Sequence, residues 1–144
     1  IFPRCLKLCC MSPSSVLLER SLFDIHGFFD EKLPVCEDYD MWIRISAFED
    51  VLFVSLPLTV KYGGHNGQLS KAYWGMDRFR VFALEKLLIC NGLKAIQYNQ
   101  AFIELLWKLR VLYNGAAKRR NSVLLEECAR KISFWKIQKE KDNG

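Results

Sequence analysis

The chain has 144 residues, of which 51% are hydrophobic and 26% are charged, so it is a globular chain and not a disordered or linker-like one. No apolar run reaches the roughly 18 residues that a membrane-spanning helix needs. The net charge is +5, and the positive excess lies in residues 108–144, which hold 10 basic and 4 acidic groups. This basic tail is interpreted as a solvated helical face, with attraction to an anionic lipid surface or a nucleic acid as the alternative.

Short apolar runs between turn signals fill residues 1–70 and predict a mixed strand and helix region. Glu19 to His26 is expected to form one or two helical turns that stop at Gly27. Asp38 to Phe48 carries apolar side chains at helical spacing and is expected to form a helix. Three runs are expected to be strands, namely Val16–Leu18, Val51–Ser55 and Leu58–Tyr62.

Residues 71–144 contain no proline and carry helical periodicity throughout. The pattern predicts three helices, over Lys71–Cys90, Lys94–Tyr113 and Ser122–Gln138. Asn91-Gly92 is expected to end the first helix, and Asn114-Gly115 to end or kink the second. Ser122 is a suitable N-cap for the third. The chain is therefore divided into residues 1–70 and a helical tail over residues 71–144.

Three of the six cysteines lie close together near the start of the chain, at Cys5, Cys9 and Cys10. Their spacing lacks the second ligand pair of a zinc finger. They are therefore interpreted as small buried hydrophobic residues with reduced thiols, as in a cytosolic protein.

The densest cluster of chemically active groups is CEDYDMWIRI, where Glu37, Asp38 and Asp40 crowd the start of a predicted helix. Acidic groups interact favourably with the positive end of the helix dipole, and Asp40 can pair with Arg44 one turn later. The cluster is therefore either an acidic helix start or the site of a carboxylate that acts as a general base toward a hydroxyl group.

A second candidate segment is KYGGHNGQLS, in which Gly64 and His65 follow a predicted strand. Glycine lets the backbone approach a ligand closely, and the N–H groups of such loops can face phosphate oxygens. His65 can ligate a metal or carry a proton, although a loop histidine can equally be an ordinary surface residue.

These two segments, in this order, resemble the C-terminal half of family 2 glycosyltransferases with the GT-A fold. The similarity covers about residues 12–70, including SPSSVLLERSLFDIHGFFDEKLPVCEDYDMWIRI and PLTVKYGGHNGQLS. It continues through MDRFRVFALEKLL and KLRVLYNGAAKR, which look like the helical tail of one bacterial-type branch. The resemblance implies an α/β fold, with the acceptor side of a GT-A catalytic domain over residues 1–70 and an α-helical tail over residues 71–144.

The family transfers a sugar from a nucleotide-sugar donor to an acceptor hydroxyl, usually with inversion. By this resemblance Asp38 is the general base, and Glu37 is its neighbour on the acceptor side. Asp40 and Arg44 are implied to be supporting residues. His65, together with Gly64, is implied to approach the donor diphosphate and its divalent metal, Mg²⁺ or Mn²⁺.

The sequence departs from the family because the nucleotide-binding half is missing. The resemblance implies that most metal ligands belong to that half, so the fragment alone is expected to be inactive. The region from Cys5 to Met11 is expected to be an exposed edge left by the missing half.

Two alternatives to the enzyme remain: a non-catalytic helical adaptor, and a peripheral membrane-surface module that uses the basic tail. No nucleic acid is expected as a partner, because the chain lacks the aromatic and basic pattern of an RNA-binding sheet. The expected location is the cytoplasm, with contact at the membrane surface as a variant of that prediction.

Overall fold

A computed structural model describes residues 1–60, 62 and 72–142, and the regular structure in these ranges is helical. A short 3-10 turn covers Pro13–Ser15. The α-helices are α1 (Phe2–Lys7), α2 (Ser21–His26), α3 (Glu37–Ser46), α4 (Asp77–Ile89), α5 (Ala95–Lys118) and α6 (Ser122–Asp142).

The predicted α/β class is wrong, since the described part of the chain contains no β-strand. The expected strands at Val16–Leu18 and within residues 51–60 form no ladder, and residues 51–60 are exposed throughout. A strand needs a neighbouring backbone to take its hydrogen bonds, and no such neighbour lies beside these runs in the described residues. The assignment to the GT-A fold is corrected for the same reason.

Helix α1 occupies the region that was expected to be an exposed edge. Pro3 fits its first turn, where no backbone N–H donor is needed. Cys5 and Leu6 are almost fully buried, and the Tyr39 hydroxyl of α3 donates a hydrogen bond to the Leu6 carbonyl at 2.5 Å. The expectation of an exposed Cys5–Met11 edge is therefore wrong at its N-terminal end.

The long helices of the second half pack in sequence, α4 on α5 and α5 on α6. Their contact is formed by buried side chains, among them Leu84, Leu87, Leu105, Leu109, Cys128 and Trp135. The predicted end at Asn114-Gly115 is wrong, because α5 continues to Lys118 and buries Ala116, and the alternative of a kink there stays a prediction. Asn121, not Ser122, caps α6, because its Oδ1 accepts the Leu124 N–H at 3.1 Å.

The helices of the two predicted halves are in direct contact. Helix α3 packs on α4, and α1 packs on both α3 and α5. The buried Lys108 of α5 donates a hydrogen bond to the Lys7 carbonyl at the end of α1, at 3.1 Å. The predicted boundary at residue 70 itself lies outside the described residues.

None of the described helices is both long and apolar enough to cross a bilayer.

Candidate functional site

The acidic cluster lies on the first turn of α3, one residue from its predicted start. Cys36 precedes the helix with φ 64°, a left-handed conformation that costs a non-glycine residue roughly 1–2 kcal/mol. Glu37, Asp38 and Asp40 all fall in the first turn, where the N-terminal helix dipole favours negative charge. Met41, Ile43 and other side chains of α3 are buried and anchor this turn in the core.

Asp40 is fully buried and is neutralised by two cations. Arg44 donates to its Oδ2 at 3.0 Å, and the Lys86 ammonium of α4 lies 2.9 Å from its Oδ1. The lysine contact lacks hydrogen-bond geometry, so it is an ion pair without a directed hydrogen bond. Lys86 also donates to Asp30 at 2.5 Å, which holds the pKa of Asp30 below its usual value.

Arg44 extends this network toward α2. Its guanidinium donates to the carbonyls of His26 and Phe28, the latter at 2.9 Å. The loop after α2 and the first turn of α3 are thus fixed to each other. Gly27 ends α2 as predicted, and its φ of 77° is a conformation that side-chain-bearing residues rarely adopt.

Asp38 has a different environment from Asp40, although it lies only two residues away. It is partly exposed, and it forms no ion pair with a cation of the described residues. Its Oδ1 accepts the Tyr39 N–H at 2.7 Å, and its Oδ2 accepts the Cys9 thiol at 3.1 Å. Burial, followed by the contact with Asp38, raises the pKa of the Cys9 thiol, so that thiol remains a hydrogen-bond donor at neutral pH.

Glu37 is also partly exposed and makes no hydrogen bond or ion pair within the described residues. The predicted acidic cluster therefore separates into one buried, neutralised carboxylate and two accessible ones. The contact of Asp38 with Cys9 could not be read from the sequence, because the two residues are 29 positions apart.

The predicted diphosphate-binding residues Gly64 and His65 lie outside the described residues. The described part of the chain holds no group of three or more His, Cys, Asp or Glu side chains that could bind a metal. The expected divalent metal, with His65 as one ligand, therefore stays a prediction.

The larger of two described cavities, about 490 Å³, lies at the opposite end of α3 from Asp38. Its lining includes Ser46, Glu49 and Gln97. A second, of about 160 Å³, lies between α4, α5 and α6 beside Leu109 and Cys128. Asp38 lines neither of these two cavities.

A buried polar cluster that the sequence analysis missed lies between α1, α3 and α5. Lys108 is 1% exposed and pairs with Glu104 at 3.0 Å and with Asp77 at 3.7 Å. Burial raises the pKa of the nearby Tyr39 phenol well above its usual value. The signal in the sequence was the Glu104–Lys108 spacing of one helical turn, which does not reveal burial.

The cysteine cluster is assembled by the end of α1. The Cys5 and Cys10 sulfurs are 3.4 Å apart, and burial raises the pKa of Cys5 to about 11. Cys5 is a small buried residue as predicted, whereas Cys9 and Cys10 are partly exposed.

No family model, curated protein or solved structure matches the chain.

Proposed function

We propose that this chain supplies the acceptor-side carboxylates of an enzyme that transfers a sugar from a nucleotide-sugar donor to an acceptor hydroxyl, with Asp38 as the general base. The observation that carries the proposal is that the acidic cluster divides into one buried, ion-paired carboxylate and two partly exposed ones. Asp40 is enclosed by Arg44 and Lys86, while Asp38 is partly exposed and forms no ion pair with a cation of the described residues. The sugar and the nucleotide are expectations from the sequence segments, and the proposal does not invoke the GT-A fold.

The geometry suits a base because Asp38 is held from two sides and is still accessible. The Tyr39 amide and the Cys9 thiol each donate one hydrogen bond to it, so its orientation is fixed. A carboxylate oxygen can accept more than one hydrogen bond, and so a hydroxyl can still approach. A general base must lie within about 3 Å of the proton donor, which a partly exposed carboxylate permits.

In the proposed reaction the acceptor oxygen attacks the anomeric carbon of the donor sugar while its proton passes to Asp38. The bond from that carbon to the diphosphate oxygen breaks, and the nucleoside diphosphate leaves on the opposite face with its electron pair. Glu37, beside the base, orients the acceptor through its hydroxyl groups. Most groups that offset the charge of the leaving diphosphate are expected from the donor side, with Gly64 and His65 as the predicted contribution of this chain.

Two measurements test the proposal. The 144-residue chain alone is expected to give no nucleotide-sugar turnover. A protein that joins this chain to a nucleotide-sugar-binding domain is expected to be active, and Asp38→Asn in it should lower kcat by about 10²–10⁴-fold with donor binding unchanged. Asp24→Asn, an exposed carboxylate on α2, is the matched control and should keep the parental rate.

Either of two results would refute the assignment. Metal-dependent turnover by the chain alone would show that it contains a complete donor site. An Asp38→Asn protein with the parental rate would show that another group accepts the proton.

A further inference from the structure

The outward face of α5 carries large exposed apolar side chains beside polar ones such as Asn99 and Asn114, whereas an ordinary surface helix is predominantly polar there. The inner face buries Leu105, Leu109 and Leu112. The opposite face carries large apolar side chains spaced by one or two turns, with exposed fractions of 65% for Ile96, 66% for Ile103, 55% for Trp107 and 42% for Val111. We refer to these four residues as the outer stripe.

The flanks of the outer stripe are basic. Lys94, Arg110 and Lys118 are exposed along the same helix or at its N-cap. The single acidic residue of α5, Glu104, is tied to the buried Lys108 at 3.0 Å and is 13% exposed. Positive charge therefore surrounds the stripe without an exposed carboxylate on α5 to offset it.

The end of α1 adds to this surface. Its Lys7 carbonyl accepts a hydrogen bond from Lys108, the residue next to Trp107. Lys7 is exposed, and the following Leu8 is 49% exposed. Helix α1 contains no acidic residue in its sequence FPRCLK.

We infer that the outer stripe is a docking face for an anionic lipid surface, with α5 lying parallel to the membrane plane. Apolar side chains enter the boundary between head groups and acyl chains, and the basic flank contacts the lipid phosphates. Trp107 is suited to the centre of such a face because indole prefers the membrane interface. An acidic protein partner fits less well, because the stripe itself offers four apolar side chains and no charge.

This inference is independent of the proposed sugar transfer, since it uses none of the α3 carboxylates. It replaces the predicted contact through the basic tail with a defined surface. The tail contributes only where α5 overlaps it, at Arg110 and Lys118.

Vesicle sedimentation and tryptophan fluorescence test the inference with the full chain. Vesicles of phosphatidylglycerol and phosphatidylcholine should bind the chain and shift its emission to the blue, and phosphatidylcholine alone should bind it much more weakly. Raising the salt from 0.1 M to 1 M shortens the Debye length from about 10 Å to about 3 Å and should weaken binding further. Trp107→Ala should reduce binding roughly tenfold or more, because it removes most of the largest inserted side chain.

Trp74→Ala is the matched control, because Trp74 is equally exposed at 55% but lies before α4. It should leave vesicle binding unchanged. Arg110→Gln should weaken binding by about fivefold, the effect of one basic residue near an anionic surface. Because Arg110 is exposed, its replacement should not disturb the core. The Arg110 variant therefore tests the outer stripe even if Trp107→Ala fails to fold.

Four results would overturn the inference. They are an absence of binding to anionic vesicles, an equal loss in the Trp74 and Trp107 variants, unchanged binding of the Arg110 variant, and a lipid-independent dimer that Trp107→Ala dissociates. The last result would identify a second copy of the chain as the partner of this face.

Discussion

Replacement of Asp40 by asparagine should destabilise the protein strongly while leaving its shape unchanged. Asp40 is fully buried between Arg44 and Lys86, so the variant removes the negative charge from two cations. The amide cannot accept as strongly, and its NH₂ group would face one of the two positive groups. The variant therefore loses the ion pair between Asp40 of α3 and Lys86 of α4.

The magnitude follows from the burial of each partner. Removing one member of a buried ion pair costs about 3–5 kcal/mol, because the other charge is left uncompensated. Arg44 is 17% exposed and Lys86 is 32% exposed, and Lys86 keeps its contact with Asp30. Both cations can therefore recover some hydration, and the expected loss is at the lower end, about 3 kcal/mol.

Urea unfolding monitored by far-ultraviolet circular dichroism measures this loss. With a slope of about 1–3 kcal/mol per molar, the midpoint should fall by roughly 1–3 M. Asp30→Asn is the control, because it removes the other carboxylate of Lys86 at a partly exposed site and should cost about 1 kcal/mol or less. If Asp40→Asn lowers the free energy of unfolding no more than Asp30→Asn does, the buried ion pairs of Asp40 with Arg44 and Lys86 do not contribute as proposed.

Three further predictions concern helix α5, the turn before it and the thiols. Gly115→Ala should stabilise the protein by about 0.5–1 kcal/mol in thermal unfolding, because α5 runs through this position and the new Cβ would meet only the mobile end of Arg119. Gly92→Ala, at φ 99° and against Phe48, should instead destabilise it, and a gain there would contradict the described turn. Iodoacetamide at neutral pH should modify the exposed Cys90 well before Cys9, whose pKa is raised by burial, as measured by peptide mass spectrometry. Equal rates would contradict the part-buried hydrogen bond between Cys9 and Asp38.

Local signals in the sequence located most of the helices. The carboxylates before an apolar repeat predicted the start of α3 to within one residue, because helix dipole and periodicity act over one turn. Gly27 was predicted to stop α2, and its positive φ confirms this. The end of α5 was missed because the Asn-Gly signal was outweighed by burial of Leu112 and Ala116 on both sides of it.

Contacts between residues that are distant in the sequence could not be predicted from such local patterns. The apolar run over residues 51–60 has the composition of a strand, but pairing depends on another segment that supplies a backbone edge. The partners that distinguish Asp38 from Asp40 are Cys9 and Lys86, one on each side of α3 in the sequence and both distant from it. The sequence could therefore indicate an acidic helix start, but it could not assign different roles to its members.

The most direct test of this assignment compares Asp38→Asn with Asp40→Asn in the protein that joins this chain to a nucleotide-sugar-binding domain, with sugar transfer and unfolding measured for both. We expect Asp38→Asn to lose transfer by at least a hundredfold with its urea midpoint almost unchanged, and Asp40→Asn to lose stability. Full transfer activity in the Asp38 variant, or a fall in its stability as large as that of the Asp40 variant, would refute the role of Asp38 as the base.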